Sequence, residues 1–311
     1  MTTIAKTLKL KKDFSDEEIL DIIKSKQVIQ PENLKLICDI KESTENQLKF
    51  HNKEEIDEED RNFAISEQRD ILKGVLEMFK FRTHNKYDYE GLLDSLNEIK
   101  SNEEFVETIL SSEYKNPLRN VLDDLIFLKK SLIKSATYLD ILYFEQSFLI
   151  RNAGGEYTAV FFIPNLSSGS QIPISVIRLV MSALFTLQSC KNIKISEIMI
   201  VHSRSLQTEA LKLFNSIRNS FFIQFFSTIS ILSPVVSSLF CAKYVILSKE
   251  KKEAFLKANP NIEVSKLRRD HHSRNPVLSY LGCKSGSLAL VIRPSFISGS
   301  LANESTFINI I

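Results

Sequence analysis

A chain of 311 residues, 43% hydrophobic and 25% charged, is long enough for two domains with cores of their own. Its formal net charge of +2 creates no global field for nucleic acid or an anionic membrane, although a local basic patch is compatible with it. The four cysteines, Cys38, Cys190, Cys241 and Cys283, are far apart, which excludes a metal-ligand spacing and fits a reducing compartment. The first residues, MTTIAKTLKLKKDFSDEE, lack the apolar core of a signal peptide.

In chain order, residues 1–60 read as a charged helical extension and linker. Ser15 is placed to cap a helix over FSDEEILDIIKSKQV, PENLKLICDI starts a second one at its proline, and NKEEIDEED (52–60) reads as a solvated acidic linker. Residues 61–234 are expected to form an α/β domain. Ile71, Leu72, Val75, Leu76 and Phe79 recur at helical spacing, and KYDYEGLLDSLNEI supplies another helix. A helical insertion at about 101–135 is expected to hold two helices, broken at Asn116-Pro117. From 136 onward strands and helices alternate. TYLDILYFEQ and YTAVFFIP read as strands around an Asn152-Ala-Gly-Gly155 turn, PISVIRLVMSALFTLQ as a helix, ISEIMIVHS as a strand and QTEALKLFNSIR as a helix. The predicted class is therefore α/β (α+β) with a smaller mixed-sheet C-terminal domain at 235–311.

Between Arg218 and Lys243 no residue is charged, and the run has the length of a membrane span. Gln224, Thr228 and six serines interrupt it, however, and Pro234 breaks a helix near its middle. Two buried segments hinged at Pro234 fit better, with Ile229, Ile231 and Val235-Val236 favouring strand. The closing part is expected to run strand, helix capped by Ser248, loop, short helix, turn, strand 287–292 stopped by Pro294, and a last strand TFINII.

Chemistry-bearing constellations are sparse. Lys284-Ser285 in a glycine-flanked turn superficially fits a phosphate-binding loop. That loop needs glycine immediately before the lysine and a helix after it, whereas Cys283 precedes Lys284 and a strand-like run follows. His271 and His272 are adjacent, so on extended chain their side chains point apart. His202 ends a strand with no nucleophile motif to serve as its partner. The basic stretch KLRRDHHSR (266–274) fits phosphate contacts, but fits an exposed loop or a protein contact at least as well. A nuclease would need clustered carboxylates at strand ends, and GGEYTAVFF offers only Glu156. No catalytic residues, metal ligands or cofactors are expected.

The stretch NPVLSYLGCKSGSLALVIRPS resembles the signature of the fifth-largest subunit of eukaryotic RNA polymerases, a family with an archaeal counterpart. The family pattern is Asp-Pro-Val-x-x-Tyr-hydrophobic-Gly-x-Lys-x-Gly, a strand, then Ile-Arg-Pro-Ser. Pro276, Val277, Tyr280, Gly282, Lys284, Gly286, Ile292, Arg293, Pro294 and Ser295 match it, and Gly299 matches a later glycine. Asn275 stands where the family has Asp, and Leu267-Arg-Arg-Asp270 replaces the family's Leu-Pro-x-Ile. AKYVILSKEKKEAFL is similar to the family's strand, cap and helix. VLEMFKFR, YDYEGLLDSL, YTAVFFIP and NIKISEIMIVHSRSLQTEALKLF are similar to parts of the eukaryotic N-terminal jaw.

The resemblance implies a non-catalytic subunit without cofactors and without a membrane segment. It docks on the largest polymerase subunit through 235–311, with Pro276, Tyr280, Gly282, Lys284, Gly286, Arg293 and Pro294 in the assembly domain. The jaw lines the entry of downstream DNA, with Arg204, Ser205 and Gln207 nearest to it. In this reading Gly282 and Gly286 permit a tight turn and Lys284 is a surface cation. The departures from the pattern point to a divergent lineage such as a large DNA virus encodes. The implied location is the nucleus for a cellular enzyme, and the virion and host cytoplasm for a viral one. A polymerase-binding regulatory adaptor is the alternative from another class, and a nuclease-like enzyme is a further one.

Overall fold

In the computed structural model the described residues are 57–82, 87–110, 138–164, 171–172, 174–190, 192–218, 220–238, 241–272, 274–297 and 300–311, with Leu118 and Val121. The helices expected within 1–56, Gly299 and, apart from Leu118 and Val121, the second helix of the 101–135 insertion lie outside them.

The first described helix, α1 (Glu58–Phe81), starts three residues before the expected domain boundary. Asp57 caps it, and Glu58, Glu59 and Asp60 form its first turn, where carboxylates face the positive end of the helix dipole. These acidic residues, expected in a linker, are part of the helix. Its buried stripe contains all five residues marked by the helical spacing, Ile71, Leu72, Val75, Leu76 and Phe79. Helices α2 (Glu90–Glu98) and α3 (Asn102–Leu110) follow, and α3 buries Phe105 and Ile109 in the same core as α1.

TYLDILYFEQ, expected to be a strand, is helix α4 (Tyr138–Glu145). It packs on α1, α3 and a strand at once, and Leu142, Tyr143 and Phe144 are all buried. A helix covered on several sides carries apolar residues at most positions, so its 3.6-residue period disappears from the sequence.

The first sheet has the order β1-β2-β4-β6. Strand β1 (Phe148–Arg151) is antiparallel to β2 (Tyr157–Ile163), and the two are joined through the expected Asn152–Gly155 turn. Strands β4 (Ile195–His202) and β6 (Phe222–Ser227) extend the sheet in parallel. The crossover helices α5 (Ile174–Cys190) and α6 (Thr208–Ile217) pack on one face with Ala159, Phe161, Ile198 and Ile200. Val160, Phe162, Met199 and Val201 face α1 on the other. Both faces are covered, which explains why β2 and β4 read as near-continuous apolar runs. A two-residue parallel ladder joins β3 (Gln171–Ile172) to β5 (Ser205–Leu206). The molecule is thus an α/β protein.

The uncharged run after Arg218 becomes β6, a short helix α7 (Thr228–Leu232), Pro234 and a 3-10 turn at Val235–Ser237. Ile229, Ile231 and Val235-Val236 are therefore not in strand. Ser227 caps α7 through its side chain, and Ile231 seats on α1 at Gly74, where an added Cβ would lie 2.7 Å from the Ile231 Cγ2. That contact accounts for a glycine in mid-helix, where it otherwise costs about 1 kcal/mol. Among the described residues no helix is long and apolar enough to cross a membrane.

Beyond Pro234 a second sheet has the order β7-β9-β10-β8. It comprises β7 (Lys243–Ile246), β8 (Arg268–Asp270), β9 (Leu288–Ile297) and β10 (Ser300–Ile310). Ser248 caps α8 (Lys249–Ala258) as expected, and α9 (Pro276–Tyr280) is the expected short helix. Strand β9 does not stop at Pro294 but continues to Ile297, with Pro294 opposite Asn303 of β10. Strand β7 reaches only to Lys243, opposite Ile292. From Arg293 onward β9 therefore pairs on one side alone, the edge setting in which a strand tolerates proline.

Candidate functional site

Six of the residues that carry the family resemblance, Pro276, Val277, Tyr280, Gly282, Lys284 and Gly286, lie in α9 and the turn after it. Asn275 caps α9: its Oδ1 accepts from the Val277 and Leu278 amides at 2.9 and 3.4 Å. Its Nδ2 donates to Asp270 Oδ2 at 2.8 Å and to the Tyr244 hydroxyl at 3.1 Å. Two departures from the family pattern are therefore each other's partners. With a carboxylate at 270, an aspartate at 275 would oppose it, whereas asparagine caps the helix equally well and donates to that carboxylate.

The turn itself uses two positive-φ glycines, Gly282 at 67° and Gly286 at 85°, as the sequence predicts. Gly286 donates its amide to Ile310 O at 2.7 Å and accepts from Lys252 Nζ at 2.6 Å. Gly282 has a second constraint: a Cβ there would stand 3.0 Å from Arg82 Cζ and Nη1.

Arg82, just beyond the C-terminus of α1, is fully buried. Its Nη1 lies 2.7 Å from Glu197 Oε1 of β4, its Nη2 2.8 Å from Gln224 Oε1 of β6, and its Nε donates to Tyr280 O at 3.0 Å. Gln224 Nε2 donates to Ser279 O at 2.8 Å, and the Tyr87 hydroxyl to Glu197 Oε2 at 3.0 Å. One guanidinium thus ties the first sheet and α1 to the α9 turn of the second sheet. Burial without such partners would be prohibitive for a charged group. Sequence reading missed Arg82, Glu197 and Gln224. A signal was present: Glu197 is the one charge in ISEIMIVH, and Gln224 the one polar residue in FFIQFF.

Of the other predicted assembly residues, Tyr280 is buried, edge-on to Phe81 at 5.9 Å. Cys283 beside it is buried too, and burial pushes its thiol up to about 12, with Arg82 opposing. Pro276 is exposed at the first turn of α9. Lys284 is exposed, with Nζ 5.2 Å from the Phe222 ring centroid, a cation–π contact. Arg293 is half-buried on β9 opposite Glu304, next to Pro294.

The residues expected nearest DNA sit elsewhere, at the end of β4. Ser205 is exposed in β5, and the Gln207 amide donates to Ile172 O at 3.2 Å just before α6. Arg204 is half-buried and already engaged in an interaction. His202 packs edge-on to Phe225, and burial lowers its pKa against an opposing hydrogen bond with the Arg204 backbone.

Glu156 pairs with Lys194 at 2.6 Å, and hydrogen bonds from Lys194 and Ser196 hold its carboxyl below the usual range. His271 is exposed, while His272 Nδ1 lies 3.1 Å from Ile311 O. Among the described residues no group of three or more His, Cys, Asp or Glu could hold a metal ion. In comparison with known proteins, no protein-family model and no curated protein matches the chain.

Proposed function

We propose that this chain is a non-catalytic subunit of a multisubunit DNA-dependent RNA polymerase. It docks on the largest subunit through residues 235–311, and its first α/β sheet contributes to the jaw around downstream DNA. The observation that carries the reading is the local structure of 275–286. The capped α9, the buried Tyr280, and the two glycines at positive φ make structural sense of a motif whose residues resemble the polymerase signature. Exposed Pro276 and Lys284 give that turn an outward face for a partner. Nucleotide addition falls to the two largest subunits, so the chain needs no reaction centre of its own. Glu156, the one carboxylate a nuclease reading could use, is neutralised by Lys194.

The test is purification of the full-length tagged chain from its native cells or infected cells. Stoichiometric recovery of two much larger polymerase subunits is the expected result. Recovery well below one copy per enzyme would favour a regulatory adaptor, and recovery without them would reject the assignment.

A further inference from the structure

The net charge of +2 conceals a segregation. Residues 235–311 carry eleven Lys/Arg against five Asp/Glu, a net +6, so the preceding 234 residues are net −4. Within the C-terminal part, four cationic or titratable side chains are exposed at one edge of the second sheet: Arg268, Arg269, His271 and Arg274. Strand β8 is the edge strand there, since the sheet order ends β10-β8. The one acid in the segment is turned inward. Asp270 accepts from the His271 amide at 2.9 Å and from Asn275 Nδ2 at 2.8 Å. Arg269 keeps one tether, donating to Ser265 O at 3.1 Å, and remains exposed. The basic edge continues through His272, whose ring centroid lies 5.9 Å from that of Phe222.

We infer that this edge is a sequence-independent binding surface for the phosphodiester backbone of duplex nucleic acid. Arginine is suited to phosphate oxygens, which its guanidinium binds in bidentate fashion. The edge lacks what single-stranded bases need. Among the described residues its aromatic rings, Phe222, Tyr244 and Tyr280, are half-buried or buried, so no ring is offered for stacking. The surface also differs from the Arg204 loop, which lies in the negatively charged part of the chain and whose arginine is half-buried. The inference stands on charge placement alone and is independent of the polymerase assignment.

The experiment is fluorescence anisotropy of the full-length protein on a 20-base-pair duplex of arbitrary sequence, titrated with salt. About three phosphate contacts predict a log–log salt slope near −3, with micromolar affinity at low salt. Replacing Arg268, Arg269 and Arg274 together by serine should weaken binding at least tenfold and flatten the slope. The lysine triple at the same positions should bind within about threefold of the parent, which separates lost charge from lost fold. Serine at Lys249, Lys251 and Lys257 on α8, the same loss of charge elsewhere, should cost less than threefold. An equal loss in the two serine triples would overturn the inference. So would absence of binding by the parent at 50 mM salt, or competition by polyglutamate as effective per charge as by DNA, which would mark the edge as a site for acidic protein.

Discussion

The Arg82 guanidinium and the Glu197 carboxylate stand 2.7 Å apart, 115 residues apart in sequence, and neither side chain is more than 2% exposed. The pair connects the end of α1 to the middle of the first sheet, while Arg82 Nη2 reaches Gln224 of β6 and Nε reaches Tyr280 O at the α9 turn. Glu197→Gln leaves a buried cation without its counter-charge and should cost about 3–5 kcal/mol. Adding Arg82→Met should cost much less than it does alone, because no orphaned charge remains. Urea unfolding of the two single variants and the double variant measures this, and strict additivity would show that the two charges do not act as a pair.

Asn275→Asp tests the exchange between positions 270 and 275. Aspartate is as good a helix cap as asparagine, so capping alone predicts no change. The new carboxylate would, however, face Asp270 where a 2.8 Å hydrogen bond now stands. We expect a loss of about 1–3 kcal/mol at pH 7, as for an unsatisfied polar pair. It should shrink as pH falls through the carboxylate range, because protonating one acid restores a donor. Asp270→Asn in the same chain should rescue it at pH 7. A full-strength Asn275→Asp protein without that second change would contradict the hydrogen-bond assignment.

The two turn glycines should differ in their tolerance of alanine. Both need positive φ, which costs a residue with a Cβ about 1–2 kcal/mol. At Gly286 nothing lies within 4 Å of the new methyl, so that is the whole cost. At Gly282 the methyl also meets Arg82 at 3.0 Å, and the network must shift with it. Gly282→Ala should therefore be the more damaging by at least about 1 kcal/mol, as for overpacking. Equal midpoints in thermal or urea unfolding would rule out a packed Arg82 beneath the turn.

Much of this architecture was legible where a local rule acts alone. The α1 stripe, the Ser248 cap and the positive-φ glycines follow from spacing and backbone sterics, and all appear where expected. The errors fall where tertiary contacts override local pattern. Helix α4 lost its period because several neighbours bury it, and Val235-Val236 form a 3-10 turn despite their strand preference. Pro294 does not end β9 because its neighbour strand ends first, a fact of register that no local window contains. The α9 turn was legible as a motif, but its receptor was not. Arg82 lies 197 residues before Ser279, and only the fold brings them together.

The α9 turn should also limit stability in alkali. Burial raises the Cys283 thiol to about 12, and raises Tyr280 to about 12 with Glu77 adding and Arg82 opposing. Both groups are neutral acids in the fold and ionise more easily when unfolded. Their contribution is complete below the unfolded values, near 8.5 for a thiol and 10 for a phenol. It is lost as pH rises from there towards 12, at up to about 1.4 kcal/mol per pH unit for each group. Cys283→Ala removes the thiol's share. The variant should be less stable at pH 8 because a buried sulfur is gone, yet its stability should fall less steeply above pH 9. The gap between the two proteins, measured by urea unfolding at pH 8, 9, 10 and 11, should therefore narrow. A gap that stays constant to pH 11 would mean that the thiol ionises equally well in the folded and unfolded chain, and that Cys283 is not sealed beneath the turn.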